Sequence, residues 1–318
     1  MPITVTFDHI DKNRVFVDTG RVCTGACLYC YVPEFKSSAL PASRKKFLSA
    51  ELAVQAIQNE PSFSPGVYGT AISMGCYADP LHSSCINRTQ EILPSLLRLG
   101  NPIQMASKCF AGSAELAGQI CAQQQYQGQF TLLVTITSFS HASEIEPGAP
   151  TPEERLQVLD VFQQAGINTA IFIKPILPGI TEYDTDAFVE ALLKFKVPNC
   201  VMGLFYANPR ILNKFKKMGL PIQQIHVDML QAHHFPNDSQ KVLIQSSDDE
   251  LRDQFYETLR QRVNADIFKT SMCVVAHRLK IPDPMRTWRR YPDLCVHCQD
   301  CETLVADLPP ELQEHYRG

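Results

Sequence analysis

Twelve cysteines among 318 residues are where this sequence concentrates its capacity for chemistry. Cys23-Thr-Gly-Ala-Cys27-Leu-Tyr-Cys30 sets three thiols in a C-x3-C-x2-C run of eight positions. Three thiolates so crowded can take three corners of a 4Fe-4S cube and leave one iron open. A tetrahedral zinc would want a fourth Cys or His close by, and none occurs between Tyr31 and Asn59. Near the other end, Cys295-Val-His-Cys298-Gln-Asp-Cys301 gives C-x2-C-x2-C, with Cys273 lying 22 positions before Cys295. Four thiolates suit a second, fully ligated 4Fe-4S cluster. A zinc site, with His297 as a substitute ligand, stays open for this group. Cys76, Cys85, Cys109, Cys121 and Cys200 form no group, and a free cysteine by itself packs as a small hydrophobe.

These residues need elements to position them. Apolar or β-branched runs predict strands at Asn13 to Asp18, Gly66 to Ser73, Ile103 to Ser107, Thr131 to Thr137, Thr169 to Lys174 and Val201 to Phe205. Between them, Ser49 to Asn59, Asn87 to Leu99, Ser113 to Gln125, Thr151 to Gln164 and Asp184 to Phe195 carry apolar residues three and four apart, as helices covering a sheet do. Strands alternating with helices imply an α/β fold with a parallel sheet. Six such units predict a partial (β/α)6 barrel over residues 1–210, followed at 211–318 by a small C-terminal metal-binding extension with one more helix, Asp249 to Val263.

The composition narrows the function. With 45% hydrophobic and 19% charged residues the chain is globular, and a net charge of −4 gives no global attraction to nucleic acid. No basic segment followed by an apolar run opens the sequence, and no apolar stretch approaches a membrane span. A cytoplasmic protein is expected, in which the cysteines would not be stored as structural disulfides. The basic groups Arg44-Lys45-Lys46 and Lys214-Phe-Lys216-Lys217 read as solvated faces, whereas Arg286-Thr-Trp288-Arg289-Arg290-Tyr291 could meet an anionic substrate.

The first cysteine loop, with Tyr29 just before its last cysteine, resembles the defining loop of the radical SAM superfamily. A closer resemblance, to the spore photoproduct lyase-like branch, runs in order over roughly residues 13–210. It is carried by Tyr31, Cys76-Tyr-Ala-Asp79-Pro80, Ser107-Lys108, Ser138, Ile145-Glu-Pro-Gly-Ala-Pro-Thr-Pro-Glu-Glu-Arg155-Leu and Lys174-Pro-Ile-Leu-Pro-Gly-Ile-Thr181. The resemblance implies a radical SAM barrel in which Cys23, Cys27 and Cys30 hold a 4Fe-4S cluster whose open iron takes S-adenosylmethionine. It further implies that Tyr29 flanks the adenine, that Asp79, Lys108 and Ser138 hold the cofactor's polar groups, and that a flavodoxin- or ferredoxin-type donor supplies the electron. By residue type alone, Asp79-Pro80 equally reads as the start of a turn and Lys108 as a solvated charge.

In the lyases a cysteine at the place of Cys76 returns a hydrogen atom to the product radical, so the resemblance makes Cys76 the catalytic hydrogen donor. Tyr77 and Ala78 stand where those enzymes carry small hydroxyl residues, and the lyases lack the C-terminal cysteine array at Cys273, Cys295, Cys298 and Cys301. Both departures point toward a small-molecule or peptide substrate and an epimerase-like hydrogen return. The rival readings are DNA repair or nucleic-acid modification, and a dehydrogenase that uses the second cluster as electron acceptor. A regulatory protein whose clusters sense oxygen or iron is a further rival of another class.

Overall fold

Thr4–Phe7 (β1) and Arg14–Asp18 (β2) pair antiparallel, and β2 then opens a parallel series. That series continues through Ala71–Met74 (β3), Ile103–Ser107 (β4), Phe130–Thr135 (β5), Asn168–Ile173 (β6) and Asn199–Met202 (β7). This computed structural model describes residues 3–7, 13–20, 23–32, 48–220, 222, 244–245, 249–295 and 300–317. The sheet order β1-β2-β3-β4-β5-β6-β7 is completed by Asp266–Phe268, paired parallel to β7. A two-residue pair, Tyr206–Ala207 (β8) with Ile244–Gln245 (β9), stands apart, so the last strand of the large sheet is β10.

Helices cover one face of the sheet. Ala50–Gln58 (α1), Ile86–Leu97 (α2) and Ser113–Gln123 (α3) are followed by the short turn Ala142–Ile145 (α4), then Pro152–Gln164 (α5) and Thr185–Lys194 (α6). Helix α5 starts where its sequence says it should. Thr151 Oγ1 accepts from Glu154 N–H at 3.3 Å, Glu154 Oε2 accepts from Thr151 N–H at 2.8 Å, and Pro152 fills the first helical position, which needs no N–H donor.

Strand alternation divides the sheet into a core face and an inner face. Val15, Val17, Ile72, Ile103, Met105, Leu132, Val134, Ile171 and Ile173 join the helices in one large apolar core. Their neighbours point the other way, into a cavity of about 370 Å³: Arg14 and Phe16, Ser73, Gln104 and Ala106, Leu133 and Thr135, then Phe172 and Lys174. The fold therefore buries both faces of its strands, one against helices and one around a partly polar interior.

The six expected parallel strands and five covering helices are all present, with shifted ends. β3 begins at Ala71 rather than Gly66 because residues 64–70 fold back on themselves, Thr70 N–H donating to Ser64 O at 2.8 Å. Asn101 Nδ2 pins that turn through Ser64 O and Thr70 O, both at 2.8 Å. Sequence patterning does not announce β1 or the three-residue β10. After Pro209–Lys217 (α7), β10 is contributed by the segment expected as an extension, which also contains Asp249–Arg262 (α8) and Ser271–Leu279 (α9). Further contacts tie this segment to the barrel: Asn13 Nδ2 donates to Pro284 O at 3.2 Å and Tyr316 Oη to Tyr68 O at 3.0 Å. Among the described residues no helix is long and apolar enough to cross a membrane.

Candidate functional site

The cysteine loop 23–30 follows β2 and lies at the end of the strands where the barrel's connecting loops converge. Cys23, Cys27 and Cys30 all line the cavity; Cys23 is exposed, Cys27 buried and Cys30 half-buried. Backbone bonds dock the loop on the segment after α4, with Leu28 N–H to Ile145 O at 2.9 Å and Gly148 N–H to Gly25 O at 3.1 Å. A Cβ on Gly148 would stand 2.1 Å from Thr24 O, so the two segments meet this closely because residue 148 has no side chain. On its other side the loop is held by a 2.8 Å hydrogen bond between Thr24 Oγ1 and His82 Nε2.

Three soft thiols on one short loop suit an iron-sulfur cube as a donor set. The glycine between the first two leaves them room: a Cβ at Gly25 would lie 3.3 Å from Cys23 Sγ and 3.4 Å from Cys27 Sγ. Among the described residues no three His, Cys, Asp or Glu side chains are gathered as a single ion needs.

Tyr29 is buried, and its hydroxyl donates to Glu146. Glu146 is ion-paired with Arg155, and both side chains are almost wholly inaccessible. Arg155 in turn donates to Thr135 O at 3.0 Å and Pro150 O at 2.8 Å. The motif containing Glu146 and Arg155 thus works as a buried bracket behind the cysteine loop. Burial, then the Glu146 charge, pushes the Tyr29 hydroxyl well above its ordinary range and keeps it a donor.

Lys108 is half-buried and lines the cavity, with Nζ 5.6 Å from the centre of the Tyr29 ring. Burial opposes its charge, but Cys27, Glu146 and Asp79 outweigh that and hold its pKa above the ordinary lysine value. Asp79 also lines the cavity, yet its carboxylate is already occupied. It accepts from Ser107 Oγ, from Leu81 N–H at 3.0 Å and from Lys108 N–H at 2.7 Å. Asp79 therefore sets the end of β4 and the direction in which Lys108 leaves it. Ser138 is fully buried and is not among the residues lining the cavity. Its hydroxyl donates to Asp184 Oδ2 and accepts from His141 N–H at 3.0 Å, closing the turn after β5.

Cys76 lines the cavity on the loop after β3. Its thiol shares a hydrogen bond with the Tyr77 side chain, and burial, reinforced by the Asp18 charge, pushes it up to about 12. It stays an S–H across the ordinary pH range. Asp18, at the end of β2, clasps this loop by accepting Tyr77 N–H at 2.8 Å and Ala78 N–H at 3.2 Å. Burial lifts the Asp18 carboxyl to about 6 against those bonds. Tyr31 lines the same region, its hydroxyl pushed up first by burial and then by Cys76 and Tyr77.

Cys273 in α9 sits near Cys295 and Cys301, close enough that their charges bear on its ionisation, while burial is the main cause of its raised pKa. Thr270 Oγ1 donates to its sulfur at 2.9 Å. Ser271, two residues earlier, lines the cavity, so the first turn of α9 separates the cavity from this second group. Cys298 lies outside the described residues, as does the Arg44-Lys45-Lys46 group. Arg286 is buried and donates to His315 O, a packing role rather than the anion contact its sequence setting invites.

Sequence reasoning does not reach Arg14, Ser73, Gln104, Asp18, His82 or Cys109 as site residues. For the first three a signal was present: each is a polar side chain on the strand positions that alternate with the core-facing residues, which marks the inner face. Asp18, His82 and Cys109 have no such pattern; their placement depends on which loops the barrel brings together.

No protein-family model matches the sequence. Uncharacterized proteins of Mycobacterium tuberculosis and Mycobacterium bovis are 21% identical over 174 residues, 53% of this chain and 51% of theirs. The chain spans about half the length of the curated relatives it matches. Among solved structures, spore photoproduct lyase complexed with dinucleoside spore photoproduct superposes with a TM-score of 0.51 at 14% identity, over 77% of this chain and 73% of that one. A double mutant of the lyase with bound AdoMet and dinucleoside spore photoproduct gives a TM-score of 0.54 at 14% identity, covering 80% and 76%. What this likeness shows is the fold, an α/β barrel like that of spore photoproduct lyase.

Proposed function

We propose that this protein is a radical SAM enzyme that removes a hydrogen atom from a small-molecule or peptide substrate and returns one from Cys76. The observation that carries the reading is the placement of two kinds of thiol on one cavity. The C-x3-C-x2-C loop faces it from one side and a neutral, half-buried Cys76 from another. When bound on Cys23, Cys27 and Cys30, a 4Fe-4S cluster would supply one electron to S-adenosylmethionine and release a 5′-deoxyadenosyl radical.

The chain's own residues do the rest. Tyr29, held by Glu146, offers a ring beside the loop, and Lys108 offers a fixed positive charge to a carboxylate. The cavity walls exclude water from a radical that would otherwise be quenched. Cys76 gives its hydrogen atom to the substrate radical and is left a thiyl, which one electron and one proton restore to S–H. A second 4Fe-4S cluster, which Cys273, Cys295, Cys298 and Cys301 would hold, would supply that electron and be refilled by a flavodoxin- or ferredoxin-type partner. The C-x2-C-x2-C spacing of Cys295, Cys298 and Cys301, with two of these cysteines within electrostatic reach of Cys273, supports this second site.

The test is anaerobic turnover with S-adenosylmethionine and a strong reductant. Wild-type protein is expected to form 5′-deoxyadenosine, Cys27→Ala to form none, and Cys76→Ala to form it while losing solvent deuterium from the product. Absence of 5′-deoxyadenosine from wild type with a full complement of iron would reject the reading.

A further inference from the structure

Lys174 is the charged residue of the cavity that no described interaction explains. It directly follows β6, and its ammonium makes no hydrogen bond or ion pair among the described residues. Its Nζ lies 5.8 Å from the centre of the Phe172 ring. Much of its surface is accessible, yet protein surrounds it, because that surface opens into the cavity. Its direction is fixed from below. A Cβ on Gly203 would stand 2.6 Å from both Cγ and Cδ of Lys174, and Gly203 is not in the left-handed region, so space for this lysine is what the glycine provides.

A second cation faces the same part of the cavity. Arg14 Nε donates to Ser73 Oγ at 2.6 Å and its guanidinium lies over the Phe16 ring at 4.7 Å. Ser73 Oγ also accepts from Gln104 Nε2 at 2.9 Å, while the buried Gln104 Oε1 has no donor among the described residues. Lys174 and Arg14 repel one another, and both bear on Cys76. Lys108 belongs to the other end, beside Cys27 and Glu146. Among the described residues lining the cavity the one carboxylate is Asp79, and its oxygens are spent on Ser107, Leu81 and Lys108. Arg14 is also within reach of the buried Asp283 carboxylate, so Lys174 is the cation of the cavity left without a counter-ion among the described residues, and an ammonium walled in by protein is unfavourable until an anion joins it.

From this we infer that Lys174 anchors an oxyanion site, so that the substrate carries a carboxylate or a phosphate and its reacting carbon lies next to that group, beside Cys76. The inference deepens the proposed function and rests on it for the word substrate. Anion binding itself requires no radical chemistry.

Calorimetric titration of the anaerobic holoprotein, saturated with S-adenosylmethionine and held at fixed ionic strength, tests it with acetate and inorganic phosphate as probes. One of the two is expected to bind with a dissociation constant of order 1 mM, and which one distinguishes a carboxylate substrate from a phosphate. Lys174→Met should weaken it by about tenfold or more, as loss of a charge-assisted hydrogen bond does. Gly203→Ala, which keeps the charge but displaces the lysine stem, should weaken it too. Lys194→Met, at an exposed position of α6, should change nothing. Affinity for S-adenosylmethionine should be the same in Lys174→Met as in wild type. Failure of both anions to bind, equal binding by Lys174→Met, or loss of S-adenosylmethionine affinity in that variant would each overturn the site. Anion binding without any 5′-deoxyadenosine formation would leave the site standing and remove the radical reading alone.

Discussion

Removing the Arg155 side chain tests whether the buried bracket behind the cysteine loop is a coupled unit. Arg155 and Glu146 are 1% and 0% exposed, so Arg155→Met would strand a carboxylate that has, among the described residues, only the Tyr29 and Thr137 hydroxyls as donors. Breaking a buried ion pair from one side costs about 3–5 kcal/mol, mostly the price of the uncompensated charge. Arg155→Met also frees the carbonyls of Thr135 and Pro150, which places it at the upper end of that range. Glu146→Gln strands the guanidinium instead and belongs near the lower end, because the amide still accepts from it. The double variant Glu146→Gln/Arg155→Met leaves no buried charge and should cost less than the two singles added, by about 2 kcal/mol. Urea unfolding of the anaerobic protein measures all four corners of the cycle. Simple additivity within about 0.5 kcal/mol would refute the bracket as argued.

Gly148→Ala places a methyl against Thr24 O, so the cysteine loop should lift away and iron bound per chain should fall well below wild type, with the fold retained by far-ultraviolet circular dichroism. Asp18 gives a pH signature. Its carboxyl is raised to about 6 from 3.8, so the folded state holds this proton more tightly than the unfolded one. The associated stability is full below about pH 4 and is lost as the pH rises through about 6, close to 1 kcal/mol of it between pH 5 and 7. Asp18→Asn should flatten that slope in urea unfolding, and an unchanged slope would place the titration elsewhere. Cys109 also lines the cavity. Cys109→Ala should nevertheless keep deuterium incorporation while Cys76→Ala loses it, and the reverse result would move the donor.

Much of the fold is legible because its signals are local. Thr151 through Glu154 writes its own helix start, and Val15 and Val17, or Ile103 and Met105, mark strand faces by simple alternation. β10 escapes because three residues carry no periodicity; its partner β7 is some sixty positions away, and only the closed arrangement makes Asp266–Phe268 a strand. The candidate site divides the same way. C-x3-C-x2-C is visible because its ligands are adjacent in sequence, as is Cys76 ahead of Asp79. The hydrogen bonds that Asp79 and Ser138 make are not visible, since each partner comes from another element, Ser107 at the end of β4 for one and Asp184 for the other. Lys174 was within reach as the last inward position of its strand, but its want of a partner is a property of three dimensions.

The central claim is that the loop from Cys23 to Cys30 presents an open iron to S-adenosylmethionine. Electron paramagnetic resonance of the reduced, reconstituted protein, with the cofactor's amino nitrogen isotopically labelled, observes this contact itself. The account predicts a cluster signal that changes when S-adenosylmethionine is added and shows hyperfine coupling to the labelled nitrogen, with both effects absent in Cys27→Ala. A cluster signal indifferent to the cofactor, or one that survives loss of Cys23, Cys27 and Cys30 together with its coupling, would contradict it.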